Sequence, residues 1–307
     1  MKKTAVMLAA ASVLTLAGGA GASEPIAYLT EIHRKAGTGE ILVHRAVDGG
    51  WKPPQPLLAL RAGDQIKVTG DARVVVLYHG AGTTAVSAQM SPFTVKPPAT
   101  LDKPAPPQVT AALLEFFLGK QAAPAFKGAV TRSAAPTIVS PRYTRLFPGT
   151  LVFEWEGAAG QPCTVRVLGA QSVLWEQRNV VTGTVAYPAS APALQAGARY
   201  AWELHAAGHP PQRTEFEIMT EGDARRVRDA LAAVEQTVPA GHAPGTVTVM
   251  RTAILSEDGL FADARRELEA AERRTPDDPT LPYVLAHVYE HIGLTAHARE
   301  ALHRASR

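Results

Sequence analysis

The chain has 307 residues, 46% of them hydrophobic and 19% charged, a composition that excludes disordered, collagen-like and multi-span membrane proteins. A single hydrophobic core rarely serves more than roughly 250–300 residues, so the length predicts two or three domains. The net charge is +3, with no stripe of Lys and Arg interleaved with aromatic residues, and we therefore expect no nucleic-acid partner.

Residues 1–22 have the pattern of a secretory signal peptide. Lys2 and Lys3 precede an apolar run from Ala5 to Ala17, and Ala20-Gly21-Ala22 supplies the small residues expected before a cleavage site. The run is shorter than the ~20 residues that a membrane span needs. We predict an exported protein, periplasmic or secreted, without a stable membrane span. Removal of the two lysines would lower the net charge from +3 to +1.

Residues 23–98 contain short stretches of strand-forming residues separated by glycine and aspartate turns, a spacing that predicts a small all-β domain. Gly63-Asp64 is expected to form a tight turn, because glycine adopts conformations closed to other residues and aspartate bonds its own backbone. The predicted strands are Ile26–Ile32, Glu40–Arg45, Gln65–Val68, Arg73–Tyr78, Thr84–Val86 and Phe93–Val95.

The same stretch resembles the FecR-type periplasmic domain. The residues that carry the resemblance are Gly39 through Val47, Trp51, Leu60-x-x-Gly63-Asp64-x-Ile66, Ala72-x-Val74-x-Val76 and the turn at Gly80. In that family the domain is the sensing part of iron-uptake regulators that cross the inner membrane and hold a sigma factor. No spanning helix precedes it here, so the resemblance implies a β-module outside the cytoplasm rather than direct transmembrane regulation.

Residues 99–137 are dominated by proline and alanine and predict a semi-rigid spacer, because proline-rich chain favours extended polyproline II geometry. One regular element fits between the prolines, a short helix from Gln108 to Lys120 that ends at Gly119. Its apolar side chains are expected to pack on a neighbouring domain. A docking helix for a partner is the alternative.

Residues 138–220 predict a β-sandwich, because strand-length apolar or alternating stretches are separated by loops rich in glycine and proline. The order of these strands resembles fibronectin-type-III-like modules of bacterial secreted proteins. In such modules the stretch Leu194-x-x-Gly197-x-x-Tyr200-x-Trp202 makes a turn into a central strand whose aromatic side chains point inward. The predicted strands are Leu151–Trp155, Cys163–Val167, Val173–Glu176 and Tyr200–Leu204.

The aromatic residues and the cysteine of this region have structural interpretations. Trp155, Trp175, Tyr200 and Trp202 stand at strand positions that usually face a core, and a sugar-stacking surface is the alternative. Cys163 is the only cysteine, so it cannot close an intramolecular disulfide, and it is expected to face the interior of its strand. Catalysis by this thiol is not expected, since no histidine or acid lies nearby in sequence.

From Glu221 to Arg307 the hydrophobic period changes from two to about 3.6 residues, which predicts helices. Asp223–Val238 is expected to form an amphipathic helix. Two later stretches align at a period of 34 residues, which is the tetratricopeptide (TPR) signature, and the chain resembles that family over residues 245–307. Such arrays present a concave surface that binds protein segments; simple packing on the sandwich is the alternative. The aligned pairs are Leu255 with Tyr289, Gly259 with Gly293, Ala264 with Ala298, Leu268 with Leu302 and Ala271 with Ala305.

One motif in the helical region resembles a catalytic site. His287-Val-Tyr-Glu290-His291 matches the inverted zincin pattern, in which two histidines one helical turn apart bind zinc and the glutamate activates water. A catalytic zinc needs a third ligand, and only 16 residues follow His291. We therefore expect no catalytic zinc, although adventitious metal binding by His287, His291 and His297 stays open.

The sequence as a whole predicts a multidomain α+β protein: a small FecR-like all-β domain, a β-sandwich and C-terminal TPR-like helical hairpins. The expected function is that of a non-catalytic exported envelope protein, a protein-binding adaptor, scaffold or sensor-like module whose helical repeats contact an envelope protein. A glycan- or peptidoglycan-binding envelope protein is the alternative. A zinc-dependent hydrolase acting through His287, Glu290 and His291 is less favoured. No catalytic, cofactor-binding or metal-binding residue is assigned, no cofactor is expected, and the protein-binding residues are not identified.

Overall fold

The computed structural model describes residues 24–34, 38–45, 49–79, 81–97, 136–158, 160–170, 172–238 and 243–306. Within these ranges the chain is a mixed α+β protein with four sheets, whose strands are mainly antiparallel, and five C-terminal α-helices. The predicted signal peptide and the predicted helix Gln108–Lys120 lie outside the described residues, as does nearly all of the spacer. The domain boundaries stay predictions.

Residues 24–97, called the first β unit, form two four-stranded sheets of order β4-β1-β6-β7 and β3-β2-β5-β8. Their facing sides enclose a core of aliphatic side chains that includes Leu29, Ile41, Ile66 and Val74. The six predicted strands are confirmed, and the two-residue strands β3 and β4 were not predicted. The strands are β1 (Ala27–His33), β2 (Ile41–His44), β3 (Trp51–Lys52), β4 (Ala59–Leu60), β5 (Gln65–Val68), β6 (Arg73–Tyr78), β7 (Ala81–Ser87) and β8 (Phe93–Thr94).

The Gly63-Asp64 turn has the predicted geometry. Gly63 has φ +91°, a conformation that L side chains rarely adopt. The Asp64 carboxylate accepts a hydrogen bond from the backbone N–H of Arg61 at 2.8 Å, and the Asp64 N–H donates to the Arg61 carbonyl at 3.1 Å. The aspartate thus satisfies the backbone of its own turn, which places β5 beside β8.

Residues 136–220, called the second β unit, have a sandwich-like architecture. A five-stranded sheet of order β10-β16-β15-β12-β13 accompanies a three-stranded sheet of order β14-β11-β9. The four predicted strands are confirmed; β9, β10, β14 and β16 were not predicted. The strands are β9 (Thr137–Ser140), β10 (Thr144–Leu146), β11 (Val152–Glu156), β12 (Cys163–Leu168), β13 (Val173–Val180), β14 (Thr184–Ala186), β15 (Arg199–Ala206) and β16 (Gln212–Ile218).

The helical region begins with the predicted amphipathic helix. Its hydroxyl cap is Thr220, which accepts from the Asp223 N–H, and its buried face includes Ala224, Val227 and Val234. Four further helices follow as two antiparallel pairs joined by short turns. The helices are α1 (Glu221–Thr237), α2 (Pro244–Glu257), α3 (Phe261–Arg274), α4 (Thr280–His291) and α5 (Thr295–Ala305).

The helices contact both β units. Their buried apolar cluster also includes Val75 and Leu77 of β6 and Val139 of β9. Strand β1 lies against α2 and α4, and β10 lies against α3. Strand β1 packs on the core of the first β unit on one side and on helices on the other. It is therefore buried at almost every position, unlike a strand with one face in solvent. The helical array is therefore fixed to both β units rather than exposed on all sides.

Candidate functional site

The two helix pairs repeat each other in backbone geometry as well as in sequence. Gly259 and Gly293 end the first helix of each pair with φ of +75° and +73°. In the first turn the Leu260 N–H donates to the Leu255 carbonyl at 2.7 Å, and in the second the Leu294 N–H donates to the Tyr289 carbonyl at 2.8 Å. The 34-residue period predicted from the sequence is thus a period of the structure.

The aligned side chains of the two pairs differ in burial at two positions, Leu268 with Leu302 and Ala271 with the half-buried Ala305. Ala264 and Ala298 are both buried, and Leu268 of α3 is fully buried. Its partner Leu302 is 37% exposed, because no further element of the described chain packs on that side of α5. The second pair therefore presents a mostly polar outer surface.

Two arginines of the second β unit bind the carboxyl ends of the repeated helices. Arg145 directs its guanidinium to the Asp258 carbonyl at the end of α2, and Arg142 donates to the Ile292 carbonyl at 2.6 Å at the end of α4. Arg145 also pairs with Asp223 at 2.8 Å. Positive charge is stabilising at a helix C-terminus, where carbonyl groups lack partners within the helix. The segment around β10 thus holds both turns of the repeat.

Two carboxylates satisfy the amino ends of the same helices. The Thr280 N–H in the first turn of α4 donates to Asp278 Oδ1 at 3.0 Å, so Asp278 acts as the cap that precedes Pro279. Pro244 stands 34 residues before Asp278, and α2 has no side-chain cap of its own. The Thr246 N–H donates instead to Glu31 Oε1 of β1 at 2.6 Å. A side chain of the first β unit therefore replaces the missing cap of α2.

A concave feature of the helical region is a groove of about 530 Å³ between α1, α2 and α3. Apolar side chains line part of it, among them Val238, Val247 and Ala270, and charged side chains line the rest. We call this feature the helical groove. Its surroundings are helical and its mouth faces solvent, as expected for a site that takes an extended segment rather than a buried small molecule.

The described residues neutralise the charges of the helical groove only in part. Arg251 donates to both carboxylate oxygens of Glu267, at 2.9 and 2.7 Å, and to Glu235 at 3.0 Å. The bidentate bond to Glu267 raises the pKa of Arg251 above its usual value. Arg274, on the last turn of α3, forms no ion pair with any described residue. The groove therefore has an unneutralised positive charge beside its apolar part.

The histidines of the inverted zincin motif make contacts within the helical array. The His287 Nδ1 lies 3.0 Å from the Tyr283 carbonyl, and the His291 Nδ1 lies 2.9 Å from the His287 carbonyl. The His291 ring stacks on Phe261, and His297 lies on α5 with its Nε2 2.9 Å from Glu156. Across residues 24–34, 38–45, 49–79, 81–97, 136–158, 160–170, 172–238 and 243–306, no three His, Cys, Asp or Glu side chains form a group able to hold a metal.

Three of the four aromatic residues singled out in the second β unit are buried in its core, and the fourth packs against that core. Trp155 and Tyr200 are buried, and Trp202 is fully buried, with its indole N–H donating to the Pro141 carbonyl at 2.7 Å. Trp175 is partly buried and stacks at 6.0 Å on Phe153. Residues enclosed in this way cannot form a sugar-stacking surface. The interpretation of these residues as core is confirmed.

Cys163 lies inside its strand, as predicted. Only 1% of the residue is exposed, and burial raises the pKa of the thiol above its usual value. A raised pKa keeps the sulfur protonated and poorly nucleophilic at neutral pH. The cysteine therefore contributes packing volume to the sandwich.

Comparison of the sequence with models of known protein families and with curated proteins finds no match. Among the helices that the structure describes, none combines the length and apolar character needed to cross a membrane.

Sequence reasoning missed the residues that join the helices to the β units. The sequence gives one indication for Glu31, which is the single acidic residue of the otherwise uncharged or weakly basic strand Ala27–His33. The structure shows that Glu31 is fully buried. Asp278-Pro279 is another indication in the sequence, because an acid before proline is a typical helix start. Nothing in the sequence pairs Arg142 or Arg145 with turns more than 100 residues away.

Proposed function

We propose that this chain is a non-catalytic exported envelope protein that acts as a protein-binding adaptor or scaffold, and that the helical groove binds a segment of its partner. The observation that carries the proposal is the half-open groove of about 530 Å³ between three helices. The signal-peptide pattern of residues 1–22 supports export, and the TPR-like period supports protein binding as the work of the helices.

The packing of the β units favours this groove over the other helical surfaces. Strand β1 covers part of α2 and α4, and the segment around β10 covers the turns at Gly259 and Gly293. The outer face of α5 is mostly polar, apart from Leu302. The helical groove combines concavity, apolar lining and a charge without a described partner.

The charges of the groove define the chemistry of the partner segment. Arg251 is neutralised by two glutamates, whereas Arg274 has no carboxylate partner among the described residues. An apolar side chain on the partner would cover Val247 and Ala270, and an adjacent carboxylate would pair with Arg274. We therefore expect an extended segment that carries an acidic residue next to an apolar one.

A displayed library of random extended peptides, selected on the full mature chain, tests this proposal. Selected peptides are expected to share a carboxylate beside an apolar residue. Their affinity is expected to fall at least about tenfold in Arg274→Glu, because one attractive charge pair becomes repulsive. Arg299→Glu is the matched control, since it makes the same charge change on the exposed face of α5.

Two results would contradict the proposal. One is selection that yields no common peptide pattern. The other is a set of selected peptides that bind wild-type protein and Arg274→Glu equally well. A loss of binding in both Arg274→Glu and Arg299→Glu would show that net charge, not the groove, attracts the peptides.

The two alternative functions lack a comparable observation. A glycan-binding protein was expected to expose aromatic side chains, but Trp155, Tyr200 and Trp202 are buried. A zinc hydrolase was expected to bring a third ligand to His287 and His291, and the described residues supply no such group. Neither function is therefore proposed.

A further inference from the structure

Two carboxyl groups are buried where the first β unit meets the helices. Glu31 of β1 and Asp278, at the start of α4, are each 0% exposed. They converge on Gly245: a methyl group added there would lie 3.1 Å from Asp278 Oδ2 and 3.1 Å from Glu31 Cγ. We call Glu31 and Asp278 the carboxyl pair. Burying an unpaired charge is costly, so the ionisation state of each of these two acids must be explained.

Glu31 has a full set of partners for an ionised carboxylate. Its Oε1 accepts from the Thr246 N–H at 2.6 Å, at the amino end of α2. Its Oε2 lies 2.8 Å from His33 Nε2 and 3.7 Å from the Arg73 guanidinium. A helix N-terminus and two basic side chains together stabilise negative charge at this position.

Asp278 has partners for one oxygen only. Its Oδ1 accepts from the Thr280 N–H at 3.0 Å and from the Ile32 N–H at 3.3 Å, so it ties α4 to β1. Its Oδ2 is buried and has no hydrogen-bond partner among the described residues. An ionised Asp278 would therefore bury a negative oxygen to which no described residue donates a well-formed hydrogen bond, and such burial is costly in a protein interior.

We propose that the contact between β1 and the helices contains one proton, held on Asp278 Oδ2, and that the contact weakens when this proton is lost. In the protonated form Oδ2 becomes a donor. The Thr280 hydroxyl lies in the same buried cluster, also lacks a partner in the described chain, and is able to accept from it. The proton therefore removes both the buried charge and the unsatisfied oxygen.

The direction of the pH effect follows from burial. Burial raises the pKa of Asp278, and the Thr280 N–H, the charge of His33, the Thr280 hydroxyl and the Ile32 N–H oppose that shift only in part. We call the state in which β1 contacts the helices the docked state. A carboxyl group whose pKa is higher in the docked state binds more protons there than when the contact is open. The contact is thus strongest below the ordinary aspartate pKa, near 3.8, and weakens as the pH rises through the raised pKa of the docked state.

The charged and polar groups around Asp278 together determine how the contact depends on pH. Strand β1 contributes Glu31 and His33, and β6 contributes Arg73 at 3.7 Å from Glu31. The amino ends of α2 and α4 contribute N–H groups but no ionisable side chain, and Asp277 beside the pair is exposed. Both basic side chains contact Glu31, and no described residue forms an ion pair with Asp278.

A ¹³C NMR titration of the side-chain carboxyl groups in the full mature chain tests the proton directly. We expect Asp278 to titrate above the ordinary aspartate range while the chain stays folded. Glu31→Gln keeps the acceptor for Thr246 and removes a negative charge, and it is expected to move the Asp278 titration to lower pH. Titration of the wild-type Asp278 within or below the ordinary range would overturn the proposal.

Hydrogen exchange tests the effect on the contact. Protection of residues 27–33 and 278–284 is expected to fall as the pH rises, by up to about tenfold per unit for one proton, relative to strand β15 of the sandwich. Asp278→Asn mimics the protonated side chain and is expected to abolish this trend. The matched control Asp277→Asn is expected to retain it. Equal pH dependence in wild type and Asp278→Asn would overturn the proposal, and should Asp278→Asn fail to fold, the wild-type titration decides alone.

Discussion

The two β units hold the same helices by opposite means. Where the first unit meets the helices, carboxyl groups lie at helix amino ends: Glu31 of β1 accepts from the first turn of α2, and Asp278, which precedes α4, accepts from the Ile32 N–H of β1. The second unit places arginines at the carboxyl ends of the same two helices. Both arrangements complement the helix dipole. They differ in burial, since Glu31 and Asp278 are fully enclosed and the Arg145 side chain is 26% exposed.

The difference in residue type has a consequence for pH. A guanidinium stays charged at every physiological pH, so the contact through Arg142 and Arg145 does not titrate through its basic partner. The Asp278 carboxyl group does titrate, and burial raises its pKa above the ordinary aspartate value. We expect the first contact to depend on pH and the second to be nearly constant between about pH 5 and 8.

The largest effect is expected from Asp278→Ala. The substitution leaves the buried N–H groups of Ile32 and Thr280 without an acceptor, and each such loss costs about 1–3 kcal/mol. We expect the free energy of unfolding to fall by about 3 kcal/mol in urea denaturation followed by circular dichroism. Asp278→Asn, which retains the acceptor, is the control. A cost below about 0.5 kcal/mol for the alanine variant would show that these bonds do not stabilise the contact.

A smaller loss is expected from Gly245→Ala. The added methyl group would approach both members of the carboxyl pair to 3.1 Å, closer than most real contacts. Overpacking of this kind costs typically about 1–3 kcal/mol, measured as a lower urea midpoint. Gly222→Ala is the matched control, because the nearest atom to its added methyl group is 3.9 Å away. Equal midpoints for the two variants would contradict the close packing at Gly245.

The smallest loss is expected from Arg145→Ala, at about 1–2 kcal/mol, since its partners Glu217 and Asp223 are themselves partly exposed. The Asp223 carboxylate has a pKa below its usual range because of its hydrogen bond with Arg145. The loss should therefore be the same at about pH 5 and pH 8. Urea titrations at both pH values check this expectation, and a loss that changes with pH would remove the distinction between the two contacts.

The strands and helices were largely predictable because each has a local signature. Alternating residues such as those of Cys163–Leu168 and the amphipathic spacing of Glu221–Thr237 encode burial directly in sequence order. One missed strand, β16, has an alternating burial pattern over seven residues, so local reasoning had a pattern to use there. Among the other missed strands, β3 and β4 have two residues each, and β14 alternates exposed with half-buried positions. Their existence depends on the neighbouring strand, which no local pattern specifies.

The helical groove and the carboxyl pair were not predictable to the same degree. The repeat at a period of 34 predicted a concave, protein-binding array, but not that β1 and β10 would cover parts of it. Glu31 meets Thr246 across 215 positions of the sequence, and Arg142 meets Ile292 across 150. Hydrogen bonds between residues so far apart in the sequence produce no periodic pattern that a single sequence could show.

The sequence by itself determined most element types, the inward position of Trp155 and Trp202 and the equivalence of the two helix pairs, because hydrophobic spacing and glycine conformation act over a few residues. Only the tertiary structure decided which helix ends are capped by which β unit, and that an acid of β1 supplies the cap that Pro244 cannot. The physical reason is that the unpaired N–H and carbonyl groups at helix ends form hydrogen bonds with any suitably placed partner. The placement of that partner depends on how the whole chain packs.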